Sequence, residues 1–238
     1  MSFIILIPAR YDSTRLPGKP LLDLNGKTLI KRVYEAAKLS NASEVYVATE
    51  SELIQEECNS FGAKSILTNE SHKTGSDRLS EAAELLFLDD DTVIVNLQGD
   101  EPFIDYRDIN SVAGLALEFD ADMSTMYAGL KQDDLKDKNV VKLWVKANHD
   151  VITFSRDETK ISDKRLLPQH HLGIYAYKVS FLKEFVRLAQ SKNELSENLE
   201  QLRALDNNKS IKAIKSLGTH HLGIDTQKDL LKARLLLN

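Results

Sequence analysis

The chain opens with an unbroken apolar run, Phe3-Ile4-Ile5-Leu6-Ile7, that stops at Pro8. A run this short and this rich in β-branched residues predicts a strand covered on both faces. The same signature returns at 44–49, 64–68 and 92–97, where Val, Ile, Tyr and Thr predominate. Between these runs the apolar period changes. Leu29, Ile30, Val33 and Ala37 fall on one helical face, and segments 28–38, 51–61 and 77–88 share that spacing. Strands alternating with helices predict right-handed β-α-β units and a parallel sheet. Ligands of such sheets sit at the carboxyl ends of the strands. The loop after Ile7 and the turn Gln98-Gly99-Asp100 are therefore expected on one rim.

Beyond residue 121 the pattern changes. Strand-like segments at 122–129, 139–146, 150–154 and 171–178 are separated by polar connections, with charged loops at 131–138 and 156–168. This middle region reads as a more antiparallel insertion that builds a second pocket and a dimer face. Helical spacing returns at 180–189 and 196–206, followed by a short strand at 210–215. A last helix is expected to start at Thr226, a suitable N-cap residue. A chain of 238 residues with 42% hydrophobic content suits one α/β domain with an elaboration. The predicted division is a core of 1–121 and 179–238 with the insertion at 122–178.

Charge and cysteine content narrow the function. A net charge of −5 argues against a general nucleic-acid binder, which needs a cationic surface. Cys58 is the only cysteine, which excludes an internal disulfide and a cysteine zinc site. Its spacing with Leu53, Ile54 and Phe61 makes it a small core residue. The apolar run at 3–7 is too short for a signal-peptide core or a membrane span. No membrane insertion and a cytoplasmic location are expected.

The candidate chemistry begins where the first strand ends. Pro8, Ala9, Arg10, Arg15, Gly18 and Lys19 place three cations and a glycine in one loop. Such a loop can aim backbone N–H groups and cationic heads at a polyanion, as a nucleoside triphosphate requires. Lys19 is the leading phosphate contact, because its flexible ammonium follows a glycine that lets the backbone approach closely. No Gly-x-Gly-x-x-Gly follows the first strand, which disfavours a dinucleotide-dependent dehydrogenase. Asp100 stands at the end of a buried strand, and Asp225 sits in the turn before the last helix. Each can be a turn or cap aspartate, or a ligand for a hard cation.

The loop from Pro8-Ala9-Arg10 to Arg15-Leu16-Pro17-Gly18-Lys19-Pro20 resembles the nucleotide-binding opening of the CTP-dependent sugar-acid cytidylyltransferases. Five later blocks resemble the same family in the same order: 72–79, 95–102, 171–177, 199–203 and 223–226. Six blocks in order span nearly the whole chain. The resemblance implies a mostly parallel α/β, Rossmann-like sheet with helices on both faces, and a smaller insertion forming the acceptor pocket. It implies transfer of CMP from CTP to an acidic eight-carbon sugar, 3-deoxy-manno-octulosonate (Kdo), releasing pyrophosphate for lipopolysaccharide synthesis. It also implies Mg²⁺ held by Asp100 and Asp225, catalytic roles for Lys19, Arg10 and Asp100, and a homodimer. Thr74, Gly75, Ser76 and Arg78 are the matched positions closing over the nucleotide. Asp77 reads instead as the acidic first turn of a helix. Gln98, Arg156, His171, Tyr175, Glu200 and Gln201 match acceptor positions. Tyr175 alternates with Tyr177, so one of the two is expected in the core. His220-His221 is expected to be incidental to catalysis.

One segment departs from the family. After Ser155-Arg156, where the family continues with an apolar, Pro-containing turn, this chain has Asp157-Glu158-Thr159-Lys160-Ile161-Ser162-Asp163-Lys164. Two acids there suggest a rim that attracts an ammonium group, so 8-amino-8-deoxy-Kdo stands beside Kdo as acceptor. A sialic acid is the other same-reaction alternative, and a non-catalytic nucleotide-binding module is the alternative of a different class.

Overall fold

In the computed structural model, which describes residues 2–119, 121–163, 165–219 and 222–237, strand β1 (Phe3–Ala9) runs through the middle of the sheet. It pairs in parallel with β2 (Glu44–Thr49) on one side and β4 (Val93–Asn96) on the other. β3 (Lys64–Leu67) extends the sheet in parallel beyond β2. Helices α1 (Leu29–Lys38), α2 (Glu52–Ser60) and α3 (Gly75–Leu85) make the crossovers. Alternate residues of β1 explain why its run is continuously apolar. Ile5 and Ile7 join α1 in one core, whereas Leu6 packs with Leu79 and Ala82 of α3 in another. Both faces are covered, as for a central parallel strand.

Helix α4 (Tyr106–Glu118) was not expected from the sequence. Its buried face is Ile109, Val112, Ala113 and Ala116, a helical spacing in which two of the four members are alanines. Asp105 caps it by accepting from the Arg107 N–H.

The middle region joins the same sheet. β8 (Gln169–Lys178) lies antiparallel between β4 and β5 (Met123–Ala128), and β9 (Ile211–Lys215) pairs in parallel with β5. The strand order is β3-β2-β1-β4-β8-β5-β9. β6 (Lys142–Val145) and β7 (Val151–Ser155) form the antiparallel hairpin off this path, with β6 pairing the start of β8. Thus β5 and β8, within 122–178, are central strands, and the hairpin is the excursion. Buried Lys142 pins it by donating to the carbonyls of Asp137 and Arg156.

The helix expected at 196–206 is two short ones, α6 (Lys192–Glu197) and α7 (Leu202–Asp206). Asn198 takes a left-handed conformation (φ 52°) and ends α6, a conformation asparagine tolerates better than most side chains. The expected helix 180–189 is α5 (Val179–Phe185). The last helix, α8 (Gln227–Leu236), begins at the Thr226 N-cap, and Asp229 completes its capping box. Among the described residues, no helix is long and apolar enough to cross a membrane. His220 and His221 lie outside the described residues.

Candidate active site

The rim is built by the ends of β1 and β4. Gly99 follows β4 so closely against β1 that a Cβ there would stand 2.9 Å from the Pro8 carbonyl oxygen. Only glycine fits without moving one strand end. The first loop closes on itself where the Gly18 N–H donates to the Tyr11 carbonyl at 3.1 Å, with Gly18 left-handed at φ 63°. A 3-10 turn, Lys19–Leu21, follows and aims Lys19 back across the rim.

Lys19 is the centre of the charge arrangement. Its Nζ donates to Asp100 Oδ2 at 2.6 Å and to Asp225 Oδ1 at 3.0 Å. Arg15 pairs with the same Asp225 oxygen at 3.1 Å. The two aspartates are tied through the backbone as well, because the Ile224 N–H donates to the Asp100 carbonyl at 2.9 Å. Burial alone would lower the Lys19 pKa, but Asp100 and Asp225 outweigh it and hold the ammonium above its ordinary value. Burial, reinforced by Asp100 and Asp225 against the opposing Lys19, pushes Glu101 up to about 8.

Arg15, Lys19, Asp100 and Asp225 line a cavity of about 390 Å³ with Pro8, Ala9, Arg10, Gly75, Arg78, Gln98 and Gly99. Arg10 is exposed and donates to the Lys73 carbonyl at 3.1 Å. Arg78 is fully buried, paired with Glu50 at 2.7 Å and bonded to Thr68 Oγ1 at 2.6 Å. Burial lowers its pKa despite Glu50. Glu50 also accepts from the Tyr11 N–H at 2.8 Å, so one carboxylate fastens the cationic loop to α3. The Thr74 side chain caps α3 by accepting from the Asp77 N–H, and the Asp77 carboxylate in turn accepts from the Thr74 N–H. That capping box gives Asp77 the helix-start role expected of it.

A smaller recess of about 80 Å³ adjoins the first, and Gly75 and Gln98 line both. Ser76, Tyr175, Glu200 and Gln201 line it too, with Asn96, Met123, Tyr177 and Phe185. Ser76 Oγ donates to Glu200 Oε2 at 3.0 Å, joining α3 to the turn between α6 and α7. Gln98 Nε2 donates to Asn96 Oδ1 at 3.0 Å. Burial raises the pKa of Tyr175, Tyr177 and Glu200. Tyr177 is the more deeply buried tyrosine, though both rings reach the recess.

Two expected acceptor residues line neither cavity. His171 is buried behind Tyr175, its Nε2 3.1 Å from Thr125 Oγ1 and its ring edge-on to Phe154. Burial, with His170 nearby, pushes its pKa down to about 3. Arg156 is spent on backbone carbonyls, donating to Glu197 through Nε and to Lys138 through Nη1, both at 2.9 Å. Asp157 is also engaged locally, accepting from the Thr159 N–H and hydroxyl at 2.8 Å, and neither it nor Glu158 lines these cavities.

A sequence model of the cytidylyltransferases matches residues 4–211. The chain belongs to the cytidylyltransferase family. It is similar to the 3-deoxy-manno-octulosonate cytidylyltransferase of Pseudoalteromonas translucida, at 40% identity over 98% of this chain and 96% of the relative. The Saccharophagus degradans protein of the same name is 42% identical over 100% of this chain and 99% of its own length. A solved CMP:2-keto-3-deoxy-manno-octonic acid synthetase complexed with CTP superposes with a TM-score of 0.90 at 34% identity, covering 100% of this chain and 98% of that one. The mostly parallel α/β fold is that of the family.

Some site residues escaped the sequence reading. Glu50 and Phe185 lay outside the matched blocks and became visible only in three dimensions, whereas Asn96, Glu101 and Tyr177 lay inside them without an expected site role. Glu50 alone had a signal, as an acid directly after β2 on the ligand rim.

Proposed function

We propose that this protein transfers the cytidylyl group of CTP to the anomeric hydroxyl of 3-deoxy-manno-octulosonate, giving CMP-Kdo and pyrophosphate. The observation that carries this reading is the pair of adjoining cavities divided by Gly75 and Gln98. One is rimmed by the cations of a triphosphate site, and the other by tyrosine, carboxylate and amide groups suited to a polyol.

Asp100 and Asp225 fit a divalent cation. Their carboxylates already converge on one positive charge, the Lys19 ammonium, through hard oxygen donors. No closed group of three or more His, Cys, Asp or Glu surrounds a metal position among the described residues. Mg²⁺ needs none, since it typically takes one or two carboxylates and completes its shell with phosphate oxygens and water. When bound, Mg²⁺ supplies electrostatic stabilisation at the reacting phosphate.

The remaining work is positioning and charge compensation, as for phosphoryl-type transfer in general. Lys19, Arg10 and Arg15 bind the triphosphate. Gly99 and Gly75 let the backbone approach it, and buried Arg78 holds α3 against the nucleotide side through Glu50. Gln98, Tyr175, Glu200 and Gln201 orient the sugar acid so that its anomeric oxygen faces the α-phosphorus. The new bond forms there as the bond to the pyrophosphate oxygen breaks, and the hydroxyl proton is released. The protein works as a homodimer in the cytoplasm; sedimentation of the purified chain tests the dimer.

Phosphorus NMR of a reaction containing CTP, Mg²⁺ and the sugar acid tests the proposal. Equal amounts of pyrophosphate and a CMP phosphodiester are expected. CTP binding by calorimetry with no pyrophosphate formed would reduce the chain to a nucleotide-binding module.

A further inference from the structure

The acceptor recess contains one carboxylate with two unlike oxygens. Glu200 Oε2 accepts from Ser76, whereas Oε1 is buried and makes no hydrogen bond among the described residues. Arg203 lies 3.6 Å from Oε1. This arginine is itself fixed on other sides. It is 4% exposed and forks onto Glu194, with Nε to Oε2 at 2.9 Å and Nη2 to Oε1 at 2.6 Å. Its guanidinium also stacks over the Phe185 ring at 4.8 Å, and Phe185 lines the same recess. Glu194 is held in turn by the N-terminus of α6, where it completes the Ser191 capping box.

We propose that Arg203 is a positioning residue for the acceptor, holding Glu200 charged and turned so that Oε1 accepts from a sugar hydroxyl. The inference rests on the reading of this recess as the acceptor site. Burial disfavours the Glu200 charge, and Asp77 of α3 adds to that effect, while Ser76, Thr74 and Arg203 oppose it. From β8, the tyrosines Tyr175 and Tyr177 face the same carboxylate. Arg203 is the cation in this set. An ammonium would offer a point charge instead of a planar fork, so lysine cannot serve Glu194 and Glu200 with the same geometry.

Removing Arg203 alone would strand the buried Glu194 charge, so the test pairs Arg203→Met with Glu194→Gln. The double variant should raise the KM for the sugar acid tenfold or more, leave the KM for CTP within twofold, and move the acid limb of kcat/KM for the sugar to higher pH. An unchanged sugar KM and acid limb, or an equal rise in both KM values, overturns the proposal. If the double variant does not fold, Arg203→Lys decides. A sugar KM at least threefold above wild type, with CTP unaffected, supports the positioning role, and a wild-type sugar KM refutes it. Wild-type protein that uses no sugar acid refutes the acceptor reading itself, which separates the two failures.

Discussion

Lys19 and Asp100 meet at 2.6 Å, joining the turn after the first strand to the turn after the fourth. The same ammonium reaches Asp225 beside the last helix, so one lysine gathers three distant parts of the chain. Its position explains how two carboxylates persist together on a partly buried rim: each has a cation before any ligand arrives. Under the proposed function, a divalent ion and a triphosphate would share charge with the protein at this point.

Replacement of either aspartate by asparagine should nearly abolish turnover. In the proposed metal site, Asp100→Asn and Asp225→Asn would each remove one anionic ligand, a loss of several kcal/mol in stabilisation of the reacting phosphate. A fall of roughly a hundredfold or more in kcat is expected with the circular dichroism spectrum unchanged. Near-normal activity at ordinary magnesium would remove that residue from the site.

Lys19→Ala should weaken CTP use far more than Lys38→Ala. Lys38 is exposed at the end of α1, whereas Lys19 faces the cavity. A charge-assisted contact to phosphate contributes roughly 1.5–3 kcal/mol, which corresponds to a loss of about tenfold or more in kcat/KM for CTP. Equal effects of the two substitutions on that parameter would count against the phosphate role of the loop.

Gly99→Ala tests the rim without touching a charge. Its Cβ would fall 2.9 Å from the Pro8 oxygen, so β1 and the β4 turn must separate. Such overpacking typically costs about 1–3 kcal/mol. Urea denaturation should show that loss, and CTP use should fall with it. A variant as stable and active as wild type would mean that the two strand ends are free to part.

The first loop was legible because its chemistry is local: three cations and a glycine follow a buried strand within one short segment. Asp100 and Asp225 were legible as rim and turn residues. Their meeting at Lys19 was not, since it depends on the Ile224 N–H bonding the Asp100 carbonyl across the fold. His171 and Arg156 matched acceptor positions by motif, yet neither lines the cavities. An imidazole on a strand has no sequence mark telling a cavity from the space behind it, and the partners of Arg156 are backbone carbonyls. Helix α4 does carry a helical spacing at Ile109, Val112, Ala113 and Ala116, but the face is weak because two of its four members are alanines. The extent of the antiparallel region was hard to read for a related reason: β5 and β8 look like insertion strands until their pairing with β4 and β9 is known.

His171 gives the fold a defined acid sensitivity. Its folded pKa, near 3, lies below the ordinary histidine value of 6.5. The unfolded chain therefore binds one more proton than the folded chain between these limits, and stability falls as pH drops through that window. The contribution is about 1.4 kcal/mol per pH unit for one site. Urea denaturation at pH 7, 6, 5 and 4 should show a steeper decline for wild type than for His171→Gln. Parallel curves would show that His171 protonates in the folded protein as readily as in the unfolded one.

The central claim concerns both substrates at once, and initial rates of pyrophosphate release test it most directly. Purified protein with Mg²⁺ would be given CTP, UTP or ATP against Kdo, 8-amino-8-deoxy-Kdo and a sialic acid. The account predicts rapid release with CTP and Kdo, little with the other nucleotides or the sialic acid, and near-complete loss in Asp100→Asn. With Asp157 closed in a local turn away from the cavities, the amino sugar should gain no advantage over Kdo. No release above background from CTP and Kdo, or equal release in Asp100→Asn, would contradict the account.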